Sequence, residues 1–309
     1  MSEISPRVLA AVAEASRVPH LELVEQRTSP VDGFTRLLFR GEGREPFETV
    51  RIPIVHRPGD EKYVVCVSSQ VGCALACDFC ATGRLGFRRN LATWEIVDQV
   101  VQVQRLSTHP VTGVVFMGMG EPMLNYDNVM RAAAIFSEPC GMAVSAKAIT
   151  ISTVGVVPMI RRFTSEKHRY RLVVSLTSAD SASRARLLPV EHTWPLPQLM
   201  EAIREYHGSS GRRITLAWTL IRGFNTSEQD ARQLAELTAG LPIKLDLIDV
   251  NDATGRYQPP DDAERNRFRD ALRKELGMPV ARRYSGGQDV NGGCGMLAGA
   301  GEQKSAAAN

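Results

Sequence analysis

From about residue 62 to residue 276, short runs rich in Val, Ile, Leu and Thr alternate with longer stretches whose apolar positions recur every three or four residues. The short runs, at 63–68, 111–117, 148–152, 172–176, 214–221 and 245–250, predict strands. The periodic stretches predict helices at 93–106, 127–136, 158–163, 197–206, 227–238 and 262–276. Hydroxyls placed to cap them, Thr93 two positions before Glu95 and Ser227 before Glu228, strengthen two of these starts. Strand–helix units in series bring each strand back parallel to the last, with helices against the sheet. About six such units predict an α/β fold, an incomplete (β/α)6 barrel rather than the closed eightfold one. Motifs at the carboxyl ends of the strands are then the candidates for a site.

Ahead of this core, 21–26 and 35–40 flank the turn signal Val31-Asp-Gly33, and 48–55 continues as a third strand. Residues 4–16 predict one short helix. The expected organisation is a short N-terminal helix and β extension over 1–58, the core over 59–289, and a C-terminal loop over 290–309. That loop contains Cys294 and ends in a small polar tail, 301–309, expected to be disordered.

With 43% apolar and 23% charged residues, the 309-residue chain has enough apolar content for a full core and too much for a disordered protein. No run of 18 apolar residues and no basic, apolar leader is visible, so a cytoplasmic protein with no membrane partner is expected. Six cysteines, three of them in one tight triplet, argue against a secreted disulfide framework. A net charge of +3 permits an RNA partner without demanding one.

The triplet is Cys73, Cys77 and Cys80, spaced C-x3-C-x2-C directly after the first core strand. On a helical turn of about 100° per residue, positions i, i+4 and i+7 lie within about 60° of one another, so the three sulfurs can face one metal centre. Closed zinc sites want four protein ligands and ordinary cubane carriers four cysteines; three leave a coordination position for a small molecule. Zinc with a distant fourth ligand is an alternative, although zinc cysteines usually come as two C-x2-C pairs. Core packing fits poorly, because Asp78, Thr82, Gly83 and Arg84 read as a loop.

Other strand ends carry chemistry. Gly118-Met-Gly120-Glu121-Pro122 follows the strand at 111–117; its glycines permit close backbone approach and Glu121 supplies a carboxylate, although a tight turn with one acid looks the same. Ile151-Ser152-Thr-Val-Gly155 and Val174-Ser175-Leu176-Thr177-Ser178 end strands in hydroxyls, which serve a site or cap the next helix equally well. Asp246, Asp249 and Asn251 form a further polar strand end, whose plain alternative is a loop entry. Cys294, in Gly292-Gly-Cys-Gly295, and Cys66, on the strand leading to the triplet, are outlying thiols. One on a glycine loop suits transient thiol exchange, which needs access. Cys140 carries no such context and is expected to be structural. Of the basic groups at Arg84, Arg88 and Arg89, at 161–171, and at Arg282 and Arg283, the first adjoins the triplet and is the better candidate for phosphate contacts.

With Phe79 before the last cysteine, C-x3-C-x-Φ-C resembles the signature of the radical S-adenosylmethionine (SAM) superfamily. There the free iron of a [4Fe-4S] cluster chelates the amino and carboxylate groups of SAM. Segments at 48–53, 66–80, 86–91, 117–122, 151–155 and 294–295, spread from roughly residue 35 to 300, resemble the RlmN and Cfr group within it, RNA methyltransferases acting on adenine carbon in ribosomal RNA. The resemblance implies that Cys73, Cys77 and Cys80 ligate one cluster. Gly120, Glu121, Ser152, Ser175, Leu176, Thr177 and Asn251 would contact SAM. Cys294 would be the methyl-accepting cysteine, Cys66 the resolving thiol that pairs transiently with it in a disulfide, and Glu48 the proton acceptor. It further implies an RNA substrate, ribosomal in preference to transfer RNA, and an electron donor such as flavodoxin; a monomer is expected.

Such a route has a chemical reason. The C2 and C8 carbons of adenine are electron-poor and cannot attack a sulfonium methyl as an amine would. In the implied scheme one SAM methylates Cys294, and a second yields a 5′-deoxyadenosyl radical that takes hydrogen from that methyl, whose carbon then adds to the ring. The chain departs from the family at Thr177, where His is usual, at Asp249-Val250 in place of Pro-Trp, at Gly292-Gly293 in place of paired alanines, and at Gly286 in place of an arginine. About twenty residues precede the first strand, so the helical accessory domain associated with RNA engagement is expected to be almost absent. C2 methylation is favoured; the alternatives are a paralogue acting on C8 or on another RNA, and a non-catalytic iron–sulfur electron carrier, for which Glu121 and Cys294 would have no use.

Overall fold

The computed structural model describes residues 4–55, 59–252 and 254–298; the tail expected at 301–309 lies outside the described residues. Helix α1 (Pro6–Ala15) leads into β1 (Glu22–Thr28), β2 (Thr35–Arg40) and β3 (Phe47–Val55), an antiparallel meander that pairs through β3 with β4 (Glu61–Cys66). After β4 the two-residue strands β5 (Gln70–Val71) and β6 (Arg89–Asn90) pair across the cysteine loop, which includes the helical turn α2 (Ala81–Arg84). There follow α3 (Thr93–Arg105), β7 (Val111–Phe116), α4 (Tyr126–Ser137), β8 (Ile149–Thr153), α5 (Val157–Ser165) and β9 (Arg171–Ser175). Next come α6 (Ser181–Leu187), α7 (Leu196–Ser210), β10 (Ile214–Leu220), α8 (Glu228–Leu237), β11 (Ile243–Asp249), α9 (Asp262–Leu276) and the short β12 (Ala281–Arg282).

One sheet runs β1-β2-β3-β4-β7-β8-β9-β10-β11-β12, and every neighbouring pair from β4 to β12 is parallel. Among the described residues its two edge strands do not pair, which is the expected incomplete (β/α)6 barrel with an N-terminal β extension. The extension is not a separate layer. Six residue pairs join β3 to β4, so the expected boundary at residue 58 falls within a paired hairpin. No helix of the described residues is long and apolar enough to cross a membrane.

The parallel strands sort their side chains by the two-residue period of a pleat. Leu172, Val174, Leu216, Trp218, Leu220, Leu245 and Leu247 are buried in the main core with helix residues such as Leu199, Ile203, Leu234 and Phe268. Each aliphatic side chain so removed from water contributes about 1.5–3 kcal/mol. The alternate positions, Ser152, Ser175, Ala217, Thr219 and Ile248, line a cavity on the other side. Apart from Ile248, small or polar residues on that side leave room where large ones would have filled it.

Local sequence explains most boundaries. In α8 the Ser227 hydroxyl accepts from the Asp230 N–H at 3.2 Å while Asp230 accepts from the Ser227 N–H at 2.9 Å, a reciprocal cap. Helix α3 differs from expectation: its cap is Ala92, whose N–H donates to Glu95, and Thr93 instead donates to Asn128. Helix α6 was not foreseen from periodicity, because Ser181-Ala-Ser-Arg-Ala-Arg-Leu187 is largely polar; Asp180 starts it by accepting from the Ser183 N–H at 2.8 Å.

Candidate active site

The cysteine loop is not the helical turn its spacing suggests. Cys73 to Cys80 pass through two successive turns, with Gly72 at φ +71° and Ala76 at φ +48°. Backbone contacts pin the loop: the Cys73 N–H donates to Gly86 O at 3.1 Å, Cys80 N–H to Cys77 O at 3.0 Å, and Asp78 N–H to Leu187 O at 3.0 Å. Gly72 is required here, since a Cβ on it would stand 1.8 Å from Gly86 O.

Cys73 and Cys77 are buried and Cys80 partly so; all three are free thiols. Burial pushes Cys73 up to about 12 and Cys77 well above its ordinary value, and the neighbouring thiols and Glu121 act in the same direction. Two buried thiols that resist ionising on their own, Cys73 and Cys77, with Cys80 adjoining them, suit a cationic group that would compensate their thiolates. Among the described residues, no three His, Cys, Asp or Glu side chains converge as one metal ion would need. The donor set fits an iron–sulfur cluster, which is held by cysteine thiolates spread around several irons.

Cys77 and Cys80 open onto a cavity of about 170 Å³ at the carboxyl ends of β7 to β11. Gly120, Glu121, Ser152, Ser175 and Asn251, all expected there, line it. Gly120 has φ +95°, and a Cβ would press on the Gln70 side chain at 2.5 Å. Glu121 is buried; its carboxylate accepts from the N–H groups of Met123 (3.0 Å) and Val154 (3.1 Å). Burial nevertheless dominates those bonds and lifts the carboxyl to about 7. No cation offsets it among the described residues, so the group is suited to meeting an ammonium.

Leu176 and Thr177 are placed otherwise: neither lines the cavity, and both are fully buried. Strand parity turns Leu176 away from Ser175, and Thr177, at φ +62°, tucks under the strand end with its hydroxyl unpartnered among the described residues. Its carbonyl accepts from Asn225 Nδ2 at 2.8 Å.

The C-terminal loop closes the site. Asn251 Nδ2 donates to Ser285 Oγ (2.9 Å) and Cys294 O (3.2 Å), the Cys294 N–H donates to Ser285 Oγ (3.0 Å), and the Ala81 N–H donates to Gly295 O (2.8 Å). Cys294 is thereby clasped to the cysteine loop. It lines the first cavity and also a second, of about 440 Å³, whose walls include Val50, Ile52, Val64 and Cys66. Cys66 is raised to about 12 by burial and by Cys294, with Arg283 and a backbone bond to Met117 opposing. All six cysteines are free thiols, so the implied pairing of Cys66 with Cys294 is not formed in this structure. Cys140, expected to be structural, is exposed.

Glu48 lines neither cavity. It is fully buried on β3, where Arg36 Nη1 donates to Oε1 at 2.5 Å and the Ala298 N–H to Oε2 at 2.9 Å. Of the basic residues beside the cluster loop, Arg89 is engaged by Glu95 and Arg84 stands 3.4 Å from Asp252, while Arg88 is exposed with no ion pair among the described residues. Sequence reasoning missed Met117, which lines both cavities, and Ser285, which carries no motif; Arg283 was visible only as one of a basic pair.

Residues 67–235 match the family model of the radical SAM superfamily. A protein of Myxococcus xanthus named "Probable RNA methyltransferase" is 53% identical over 283 residues, 92% of this chain and 77% of that protein. The "Probable dual-specificity RNA methyltransferase RlmN" of Salinibacter ruber is 39% identical over 310 residues, 98% of this chain and 84% of that one. Among solved structures, a radical SAM methyltransferase from Sphaerobacter thermophilus superposes with a TM-score of 0.88 at 37% identity, covering 96% of this chain and 86% of that one.

Proposed function

The chain belongs to the radical SAM superfamily and, within it, to the RlmN-like RNA methyltransferases, and from this we propose that it methylates a ring carbon of adenine in RNA, C2 in preference to C8, through a methylated Cys294. The supporting observation is the position of Cys294 on the shared wall of two cavities, one beside the triplet and Glu121, the other beside Cys66. A thiol so placed can receive a group on one side and deliver it on the other.

Cys73, Cys77 and Cys80 would hold a [4Fe-4S] cluster, and an external one-electron donor such as flavodoxin would reduce it. When bound, the cluster and SAM supply a methyl group for sulfur and a radical able to remove hydrogen from it. Glu121 takes the cofactor's amino group, Gly120 lets the backbone come close, and Ser152 and Ser175 offer hydroxyls from neighbouring strand ends. Asn251 and Ser285 orient Cys294. Cys66 resolves the sulfur-bound product by attacking Cys294. Glu48 takes the ring proton once the Ala298 N–H leaves its Oε2, with Arg36 holding the other oxygen. Arg88, exposed beside the cysteine loop, would contact phosphate. Ribosomal RNA is the favoured substrate over transfer RNA.

Mass spectrometry of nucleosides from ribosomal and transfer RNA of a deletion strain tests this. Loss of 2-methyladenosine is expected, restored by the intact gene. Loss of 8-methyladenosine instead would move the reaction to C8, and unchanged methyladenosines in both RNA classes would refute the proposal.

A further inference from the structure

We propose that Arg283 is the positioning residue that lets Cys66 ionise inside the second cavity; this rests on the thiol roles proposed above. Cys66 ends β4 and lies opposite Val50 on β3 and Val115 on β7, both buried aliphatics. A thiolate between such walls is poorly solvated. The ionisable groups around it are few. Glu48, two residues along β3 from Val50, is engaged with Arg36. Cys294 faces the same cavity from the covering loop, as does Arg283.

Arg283 is held by its own backbone, whose N–H donates to Leu247 O at 2.8 Å. Its Nη1 points at Met117 Sδ, 2.9 Å away, a weak acceptor. Asp249, the carboxylate at the end of β11, is taken by Arg282 at 2.6 Å and Arg265 at 3.2 Å, and Arg283 has no ion pair among the described residues. A half-buried guanidinium against apolar walls is costly unless an anion meets it. Of the groups lining this cavity, Tyr284 keeps its phenol proton by donating it to Asp32 Oδ2 at 2.9 Å, and the thiols of Cys66 and Cys294 are left as those that can become anions. Burial and then Cys294 raise Cys66, while Arg283 acts the other way.

This arrangement also orders the chemistry. While Cys294 is a thiolate it opposes ionisation of Cys66. Once Cys294 carries carbon as a thioether that opposition is gone, and the attraction of Arg283 is left. Cys66 then attacks Cys294 Sγ: the S–S bond forms, the bond from Sγ to the transferred carbon breaks, and its electron pair leaves on that carbon into the electron-poor ring. A proton completes the methyl group. The two sulfurs lose two electrons and the carbon gains two, so no outside oxidant is needed.

The test is alkylation of the full-length, cluster-loaded Cys294→Ala protein by iodoacetamide at pH 8.5 without RNA, resolved by peptide mass spectrometry, with exposed Cys140 as internal standard. Arg283→Met should slow Cys66 about tenfold, the effect of raising its pKa by about one unit, and leave Cys140 unchanged. Arg283→Lys should restore most of the rate. With Cys294 intact, Arg283→Met should accumulate covalently bound RNA. An unchanged Cys66 rate in Arg283→Met overturns the proposal, as does equal loss in Arg283→Lys. Weaker RNA binding with an unchanged Cys66 rate also overturns it and makes Arg283 a phosphate anchor. Should Arg283→Met fail to take up the cluster, Arg283→Gln against Arg283→Lys decides. Because the alkylation uses no RNA, its outcome is separate from whether the protein methylates adenine.

Discussion

Glu121→Gln should weaken SAM binding about a hundredfold at pH 8 and abolish the proton exchange that accompanies it. Glu121 is buried at the end of β7, and despite two backbone N–H donors burial lifts its carboxyl from 4.5 to about 7. That lift corresponds to about 3 kcal/mol of unfavourable desolvation of the carboxylate, and an ammonium facing it recovers a comparable amount. Glutamine keeps the shape and the acceptor but not the charge. Below pH 7 wild-type Glu121 holds a proton that the ammonium must displace, so affinity should fall about tenfold per pH unit there and level off above it. Calorimetry at pH 7 in two buffers of unlike ionisation enthalpy should report about half a proton released per cofactor bound, and none for the variant. In the cofactor-free protein the sign is opposite for stability. A carboxyl raised on folding contributes stability that is full below pH 4.5 and lost as pH rises through about 7, so Glu121→Gln should flatten unfolding profiles across that window. Equal cofactor affinity in the two proteins, or wild-type affinity independent of pH between 5 and 7, would refute the reasoning.

Three further outcomes are expected. Cys77→Ala should abolish the cluster in anaerobically reconstituted protein, while wild-type protein should change its electron paramagnetic resonance spectrum on adding SAM; an unchanged spectrum would indicate a fourth protein ligand. Cys294→Ala should keep the cluster and lose methyl transfer, whereas Cys66→Ala should retain nuclease-sensitive RNA covalently, and normal turnover by Cys294→Ala would overturn the thiol mechanism. Gly72→Ala should lose bound iron and more than about 2 kcal/mol of stability in thermal unfolding, because its Cβ meets Gly86 O at 1.8 Å and its φ is +71°. Gly86→Ala, at φ +66° with nothing near its Cβ, should cost only about 1–2 kcal/mol and keep its iron.

What the sequence made legible follows from where information is local. Helix α9 spans Asp262–Leu276 as periodicity predicts, because Asp261 caps it and Gly277, in the left-handed region, ends it; both signals directly flank the segment they delimit. Gly120, Glu121, Ser152 and Ser175 were legible as cavity candidates because each stands at or just beyond a strand's carboxyl end, and a parallel sheet brings such ends together, whereas Cys77 and Cys80 were legible from their spacing. Leu176 and Thr177 sit one and two residues past Ser175, where the strand ends and the backbone reverses sign at Thr177; whether the chain continues into the cavity or turns under it depends on Asn225, 48 positions away, which holds the Thr177 carbonyl. Glu48 shows the same limit. Its strand was predictable, yet its surroundings are made by Arg36 from β2 and Ala298 from the far end of the chain. The same long-range closure places Cys294, since Asn251, Ser285 and Ala81 hold its loop from three separate segments. A motif therefore marks the thiol proposed to carry the methyl group, while the direction in which it faces, toward the cavity of Glu121 on one side and that of Cys66 on the other, is a property of contacts that no local pattern contains. Gly293 fits that requirement: a Cβ on it would stand 3.1 Å from Asn251 Nδ2, so the glycine lets the loop lie against the side chain that orients Cys294.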